Sequence, residues 1–452
     1  MPGPAEGRKG GAMRPPSLFS RLFLALAPLA CRSPGAALTC LPPGRRRGLP
    51  GPRAPPSLTP QPREGRRPAS PLSLSGKGGL ADPGEPEAAA RARGRARSDG
   101  AGAGRGEEQG AGGEKGPEEE TRRGRPGRAW RGGSGGDGGA MALSERFAGC
   151  LFGAALGDAV GELAFALPDR RALEEEATRR RPLRYTDDTA MMLVLGEHLA
   201  ARGEVDTEAL GRAFHQAYRE EPWRGYGPGP PCIFRLVEER GLGYEEAART
   251  LYGGKGSLGN GAAMRVAPVG LLGRGWPPER VYEAAAASAR ATHTHPVGVD
   301  GAAVQAWAVA RASTLEPGAP WQPLPLAEEL LRLARTEELR LKLATLAALL
   351  EHRAEPAEAA ALLGRGVAVH ESLPFALYCF LSRPADYGEC LACAVLHGGD
   401  RDTLGAMAGA LSGAYLGEGA LPAAWLEGLE GAERLRALAD ALARRATGAP
   451  LH

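Results

Sequence analysis

The segment RYTDDTAMM, residues 184–192, sets Thr186, Asp187, Asp188 and Thr189 side by side just before an apolar run. GGDRDTLGAM, residues 398–407, repeats the device with Asp400, Asp402 and Thr403. Thr186 suits an N-cap, so the acids behind it would fill a first helical turn, where the macrodipole favours negative charge. Capping alone accounts for either cluster taken singly. Both clusters meeting in one semi-buried cleft would be strongly repulsive without a cation. Carboxylates and Thr hydroxyls, with no Cys and few His, are hard oxygen donors. They suit Mg²⁺ or Mn²⁺ rather than Zn²⁺, and two ions close together would need such a set.

A second set of chemistry-bearing residues lies in GGKGSLGNGAAMR, residues 253–265. Lys255, Gly256, Ser257, Leu258, Gly259, Asn260 and Gly261 would form a loop whose amides approach a ligand closely, with phosphate oxygens as the natural partner. It is no P-loop, because its Lys and Ser come too early and no strand precedes it. An ordinary flexible loop is the plain alternative. THTHP holds His293 and His295. No third ligand stands near that pair, so one His as a hydrogen-bond donor to a ligand is the preferred reading. Cys390 and Cys393 form a CxxC inside a helical pattern without a second CxxC or His pair, which reads as core thiols.

The elements that must position these residues are helical. DTAMMLVLGEHLAARG, DTEALGRAFHQAYREE, PERVYEAAAASARATH, VDGAAVQAWAVARAST, PLAEELLRLARTEELRLKLATLAALLEHR and ERLRALADALARRAT all carry apolar residues at helical spacing. Alternating strand patterns are essentially absent, so the expected fold is an all-α, compact orthogonal assembly. Glycine recurs every fourth residue at Gly153, Gly157 and Gly161, and again at Gly405, Gly409, Gly413 and Gly417. Such stripes let two helix backbones approach, which would offset the ~0.5–1 kcal/mol that each glycine costs a helix.

Residues 1–140 differ sharply. They are rich in Gly, Pro, Arg, Ala and Glu with almost no Ile, Val or Tyr, which predicts a disordered extension ahead of a domain at 141–452. MALSERFAGC, from Met141, reads like a natural start. The segment from Met13, Arg-bearing and acid-free with a short apolar heart, has some character of a targeting peptide. The expected location is cytoplasmic or nuclear, with the mitochondrion as the alternative that segment raises. The net charge is +3 and the basic excess lies in the extension. No nucleic-acid contact by the folded part is therefore expected. No stretch reads as a membrane span, and a monomer is expected.

Taken in order, GCLFGAALGDAVG, YTDDTAMM, RGYGPG, GKGSLGNGAAMR, THTHPVGVDGA, HESLPFALYCFL and GGDRDTLGAMAGALSGAY resemble the ADP-ribosylglycohydrolase family over about residues 145–445. The likeness is greatest to the branch acting on poly(ADP-ribose), seryl-ADP-ribose and O-acetyl-ADP-ribose. The resemblance implies an all-helical fold with two Mg²⁺ ions in a cleft, held by Thr186, Asp187, Asp188, Asp400, Asp402 and Thr403. It implies that Lys255 through Gly261 wrap the diphosphate and distal ribose, that His293 bonds the ligand, and that Val367 lines an adenosine pocket. ADP-ribose and ADP-ribosylated proteins would be the partners. Bond cleavage through an oxocarbenium-like state needs carboxylates to handle a proton, a task for Glu162, Asp187 and Asp402.

Two departures stand out. The branch carries a glutamate where this chain has Phe165, and Glu162 is the nearest glutamate, about one helical turn away. Arg401 stands where the family has a small Thr between the aspartates. The alternative they raise is an ADP-ribose-binding relative with impaired catalysis.

Overall fold

The computed structural model describes residues 141–448. The readings made for residues 1–140 lie outside the described residues. Within them the chain runs α1 (Leu143–Ala164), α2 (Arg170–Arg179), α3 (Asp187–Arg202), α4 (Thr207–Glu220), α5 (Gly229–Arg240) and α6 (Tyr244–Gly254). Next come α7 (Gly261–Met264), α8 (Ala267–Leu272), α9 (Pro278–Arg290), α10 (Pro296–Ala312), α11 (Pro323–Leu333) and α12 (Glu337–Glu351). The chain closes with α13 (Pro356–Leu363), α14 (Val369–Ser382), α15 (Tyr387–His397), α16 (Arg401–Leu416), α17 (Ala423–Gly428) and α18 (Ala432–Thr447). Among the described residues the strand-like pairings are two isolated bridges, Leu183 with Leu429 and Gly259 with Ala368. The all-α expectation holds.

The glycine stripes do what their spacing predicts. A Cβ at Gly153 would sit 2.4 Å from the carbonyl oxygen of Gly409, and one at Gly157 would sit 2.0 Å from that of Gly405. As the α1 number rises the α16 number falls, so the two helices run antiparallel with backbones in contact. Gly149 extends the stripe against Gly413. Gly417 departs from it: it caps α16 with φ of 79°. Gly161 packs on the backbone of Arg401 and Asp402, which fixes the start of α16 against the end of α1.

By length and composition α1 could cross a membrane, with 22 residues and a mean hydropathy of 1.3, contrary to the sequence reading. It does so only by composition: 89% of that window is buried in the fold and Asp158 is fully enclosed within it. It is the central core helix.

The long pattern over residues 325–353, expected as one helical run, is two helices. Asp300, fully buried on α10, accepts the backbone N–H groups of Arg335 and Thr336 and the Thr336 hydroxyl. These bonds hold the break between α11 and α12, with Thr336 as N-cap of the second. Cys150, Cys232, Cys379, Cys390 and Cys393 are free thiols, and both members of the CxxC are buried, as core thiols should be.

Candidate active site

Thr186 caps α3 and its hydroxyl oxygen accepts from the Asp188 N–H at 3.4 Å. Asp187 and Asp188 occupy the first turn and are buried together with Thr186. Arg224 fixes this entry from outside. Its carbonyl accepts the Asp187 N–H at 3.0 Å, and its guanidinium donates to Glu221, Glu430 and the Tyr185 carbonyl. Arg224 also lies between the Tyr185 and Trp223 rings, 4.3 Å from each centroid.

Asp158 is assigned no role from the sequence. It is the hub of the site. It accepts from the Thr186 N–H at 3.1 and 3.0 Å, the Thr186 hydroxyl at 2.8 Å, the Thr189 N–H at 3.0 Å and the Thr189 hydroxyl at 2.6 Å. Because Thr186 gives its hydrogen to Asp158, its oxygen offers only lone pairs elsewhere. The signal available in the sequence was a carboxylate on an otherwise apolar helix, which burial makes costly unless it is satisfied.

Asp400 precedes α16 as its N-cap, and Asp402 and Thr403 lie in the first turn. Asp400 and Asp402 are half-buried and Thr403 is buried. The two acidic clusters converge. Burial raises the proton affinity of Asp187, to a pKa of about 7, and the charges of Asp158 and Asp400 add to it. Asp188 is pushed well above the carboxylate range by burial and then by Asp158, Asp402, Asp187 and Asp400. Asp402 rises through burial, Asp400 and Asp158, with a smaller push from Glu162. Burial lifts Asp158 to about 6 against the pull of its Thr hydrogen bonds.

Among the described residues no group of three or more His, Cys, Asp or Glu side chains forms a ready ion cage. The donor set nevertheless fits a hard cation. Asp188 Oδ2 is buried with no hydrogen-bond partner, and the mutual repulsion of these carboxylates is what a bound cation would relieve. Thr186, Asp187, Asp188, Asp400, Asp402 and Thr403 supply oxygen alone, as Mg²⁺ or Mn²⁺ requires.

The glycine-rich loop is pinned, not floppy. The Asn260 N–H donates to the Val367 carbonyl at 2.9 Å and the Val369 N–H to the Leu258 carbonyl at 3.1 Å. Gly256 has φ of 74° and packs against Thr294 and His295. The amides of Gly256, Gly259 and Asn260 already bond within the protein, so they are not the ones left for a phosphate. The Asn260 side chain donates to Asp400 Oδ2 at 2.7 Å and to Ser372 Oγ at 3.1 Å, joining loop to acidic cluster. Ser257 is buried and Lys255 is exposed, while Leu258 and Val367 present open apolar surface. Tyr252, ahead of the loop, is exposed with φ of 53°. That is a strained backbone for a non-glycine residue, and such strain concentrates at ligand sites.

His293 is buried, with Nε2 lying 3.2 Å from where a Cβ on Gly261 would stand. His295 instead caps α10, its Nδ1 accepting from the Val297 N–H, so the two histidines have separate tasks. Arg401, between the two aspartates, donates Nη1 to the Val395 carbonyl at 2.5 Å, at the end of α15. It is held away from the carboxylates, so it leaves their charge uncompensated. Glu162 is exposed near Asp402, and Phe165, which follows α1, is 52% exposed.

The family model for ADP-ribosylglycohydrolase matches residues 139–450. ADP-ribosylhydrolase ARH3 of Bos taurus is 36% identical over 350 residues, which are 68% of this chain and 94% of that protein. The Homo sapiens ADP-ribosylhydrolase ARH3 is 35% identical over 350 residues, 68% of this chain and 95% of its own length. A solved chain described as an ADP-ribosylglycohydrolase-related protein complex is 28% identical and covers 67% of this chain and 99% of that one, at a TM-score of 0.47. With the family pattern spread over helices that meet at one acidic site, the chain belongs to the ADP-ribosylglycohydrolase family, on the branch of these ARH3 relatives.

Proposed function

We propose that this site is a Mg²⁺-dependent centre that hydrolyses the bond between ADP-ribose and an oxygen acceptor, as in poly(ADP-ribose), seryl-ADP-ribose or O-acetyl-ADP-ribose. That the chain is a hydrolase acting on ADP-ribose linkages follows from its family and its ARH3 relatives. One observation carries the finer reading: Asp187, Asp188, Asp400 and Asp402 press on one another's charge while Asp188 Oδ2 stays unpaired.

Thr186, Asp187, Asp188, Asp400, Asp402 and Thr403 would hold the ions, two of them in this reading. When bound, such ions supply positive charge for sugar hydroxyls and for water. The chain's own residues do the rest. The loop from Lys255 to Gly261 holds the diphosphate beside the acidic cluster, with Asn260 keeping the two in register. His293 offers a ring N–H to the ligand. Val367 and Leu258 give the adenosine an apolar surface to lie against. Glu162, an exposed carboxylate whose charge reaches Asp402, takes or returns the proton as the C1″–O bond opens, a role worth typically ~10²–10⁴-fold.

The test is a thermal-shift titration of the full chain with ADP-ribose, with and without Mg²⁺, followed by release assays on seryl-ADP-ribosylated peptide and poly(ADP-ribose). The proposal expects stabilisation that needs both ligand and ion, and release that EDTA abolishes. Release unchanged by EDTA overturns the metal assignment.

A further inference from the structure

We infer that Arg265 and Thr292 are positioning residues that fix His293 in a single tautomer, its hydrogen on Nε2 and facing the glycine-rich loop. The inference rests on the proposed seating of ADP-ribose against that loop.

Thr292 Oγ1 has two close partners. Arg265 Nη2 lies 2.7 Å away and His293 Nδ1 lies 2.7 Å away. An arginine can only donate, so it takes a lone pair of the Thr292 oxygen. The Thr292 hydroxyl then has a hydrogen to give, and Thr292 is 1% exposed. The acceptor in place is His293 Nδ1. Were Nδ1 protonated, Thr292 would receive two donors and its own hydrogen would be buried without an acceptor, which proteins avoid. A neutral ring that accepts at Nδ1 carries its hydrogen on Nε2. The ring is held neutral: burial and the neighbouring Arg265 push its pKa down to about 3.

Arg265 is itself immobile. It is fully buried, donates to the Gly261 carbonyl at 3.0 Å and the Ser288 carbonyl at 3.2 Å, and lies 4.6 Å from the Phe214 ring centroid. The Gly261 bond ties it to the same loop that Nε2 faces. Side chains are missing where they would crowd Nε2: a Cβ on Gly259 would stand 3.5 Å from it and one on Gly261 3.2 Å from it. The chain Arg265 to Thr292 to His293 thus sets a donor, not an acceptor, toward the loop. An Nε2–H suits an anionic or hydroxyl oxygen, which the diphosphate and riboses of ADP-ribose both supply.

The experiment is a long-range ¹⁵N–¹H spectrum of full-length protein labelled at histidine, with the His293 signals assigned by His293→Gln. Expected is an Nε2–H tautomer for His293 from about pH 5 to 8 without ligand. Thr292→Ser keeps that signature and the wild-type affinity for ADP-ribose. Thr292→Val, folded by circular dichroism, mixes the tautomers and weakens ADP-ribose about tenfold, the scale of one hydrogen bond. A dominant Nδ1–H form in the wild type overturns the inference, as does Thr292→Val with unchanged tautomer and affinity. If the Nε2–H form is found but His293→Gln leaves ADP-ribose binding intact, the tautomer relay stands and the seating of ADP-ribose beside His293 falls.

Discussion

The side-chain amide of Asn260 donates to Asp400 Oδ2 at 2.7 Å, joining a loop and a helix start that lie 140 positions apart. This bond ties one of the two Asp400 carboxylate oxygens to the loop. In the proposed metal reading Asn260 stands one step out from an ion, and partners of this kind are typically worth about 10–100-fold in metal affinity or activity. Asn260→Ala is expected to weaken both Mg²⁺ and ADP-ribose in calorimetric titrations by about that range. Loss of one affinity with the other intact would show that loop and acidic cluster are not coupled through this bond.

Asp158 tests how the site is held together. It accepts from two backbone N–H groups and two hydroxyls, all within the buried N-terminus of α3. Stranding a buried donor costs about 1–3 kcal/mol per group, so Asp158→Ala is expected to lose about 3 kcal/mol or more by urea denaturation. Asp158→Asn keeps one acceptor oxygen and should lose less. Equal losses for Ala and Asn would mean that the carboxylate's negative charge, and not its acceptor capacity, holds the N-terminus of α3.

The site residues legible in the sequence were those whose local chemistry showed in short runs. Thr186 as a cap, the first-turn acids, and Gly153 facing Gly409 all follow from spacing. Asp158 did not show, because its partners Thr186 and Thr189 come close only once α1 and α3 pack. The direction of Arg401 was open for a like reason: the Val395 carbonyl that receives it belongs to the previous helix's end. The break at Thr336 depended on Asp300, on another helix. Patterns along one element are visible in a sequence, whereas hydrogen bonds between elements need the fold.

The α1–α16 contact predicts an unusual sensitivity to the smallest side chain. Gly157→Ala would improve helix propensity by about 1 kcal/mol in isolation. Here its methyl would meet the Gly405 carbonyl oxygen at 2.0 Å, a backbone atom that cannot rotate away. Overpacking of this kind costs about 1–3 kcal/mol or more, so a net loss is expected. Gly275→Ala, which meets nothing within 4 Å, serves as the control in the same thermal melts. A stabilised Gly157→Ala would refute the close approach of the two helices.

His293 gives a pH dependence with a definite sign. Its folded pKa is about 3, pushed down by burial and by Arg265, against about 6.5 in an unfolded chain. The unfolded state therefore binds a proton that the native state refuses. The associated stability is present above about pH 6.5 and is lost as pH falls toward 3, by up to about 1.4 kcal/mol per pH unit. His198 and His215, also lowered by burial, add in the same direction. The buried Asp158, Asp187, Asp188 and Asp402, whose pKa values are raised, act with the opposite sign, so the His293 contribution is read as a difference: relative to wild type, the denaturant midpoint of His293→Gln should rise as pH falls from 7 through 5.5 to 4.5. An unchanged slope in that variant would mean His293 takes its proton as readily folded as unfolded.

The last test asks which position, Glu162 or Phe165, carries the working carboxylate. Phe165 follows the final turn of α1 and is 52% exposed. It brings no charge to the acidic cluster. Glu162, one turn earlier, sits close enough to Asp402 to raise its proton affinity, and it is exposed, so substrate and water can reach it. A proton acceptor at Glu162 and not at position 165 predicts a specific asymmetry. Glu162→Gln should lower release of ADP-ribose by about 10²–10⁴-fold at saturating Mg²⁺, the usual weight of acid–base assistance, while ADP-ribose still binds. With Glu162 in the proposed role, Phe165→Glu should change the rate little. The opposite pattern, a rate raised by Phe165→Glu and indifferent to Glu162→Gln, would place the working carboxylate at the position this chain has lost. It would also make the wild-type protein a slow enzyme with an intact ligand site.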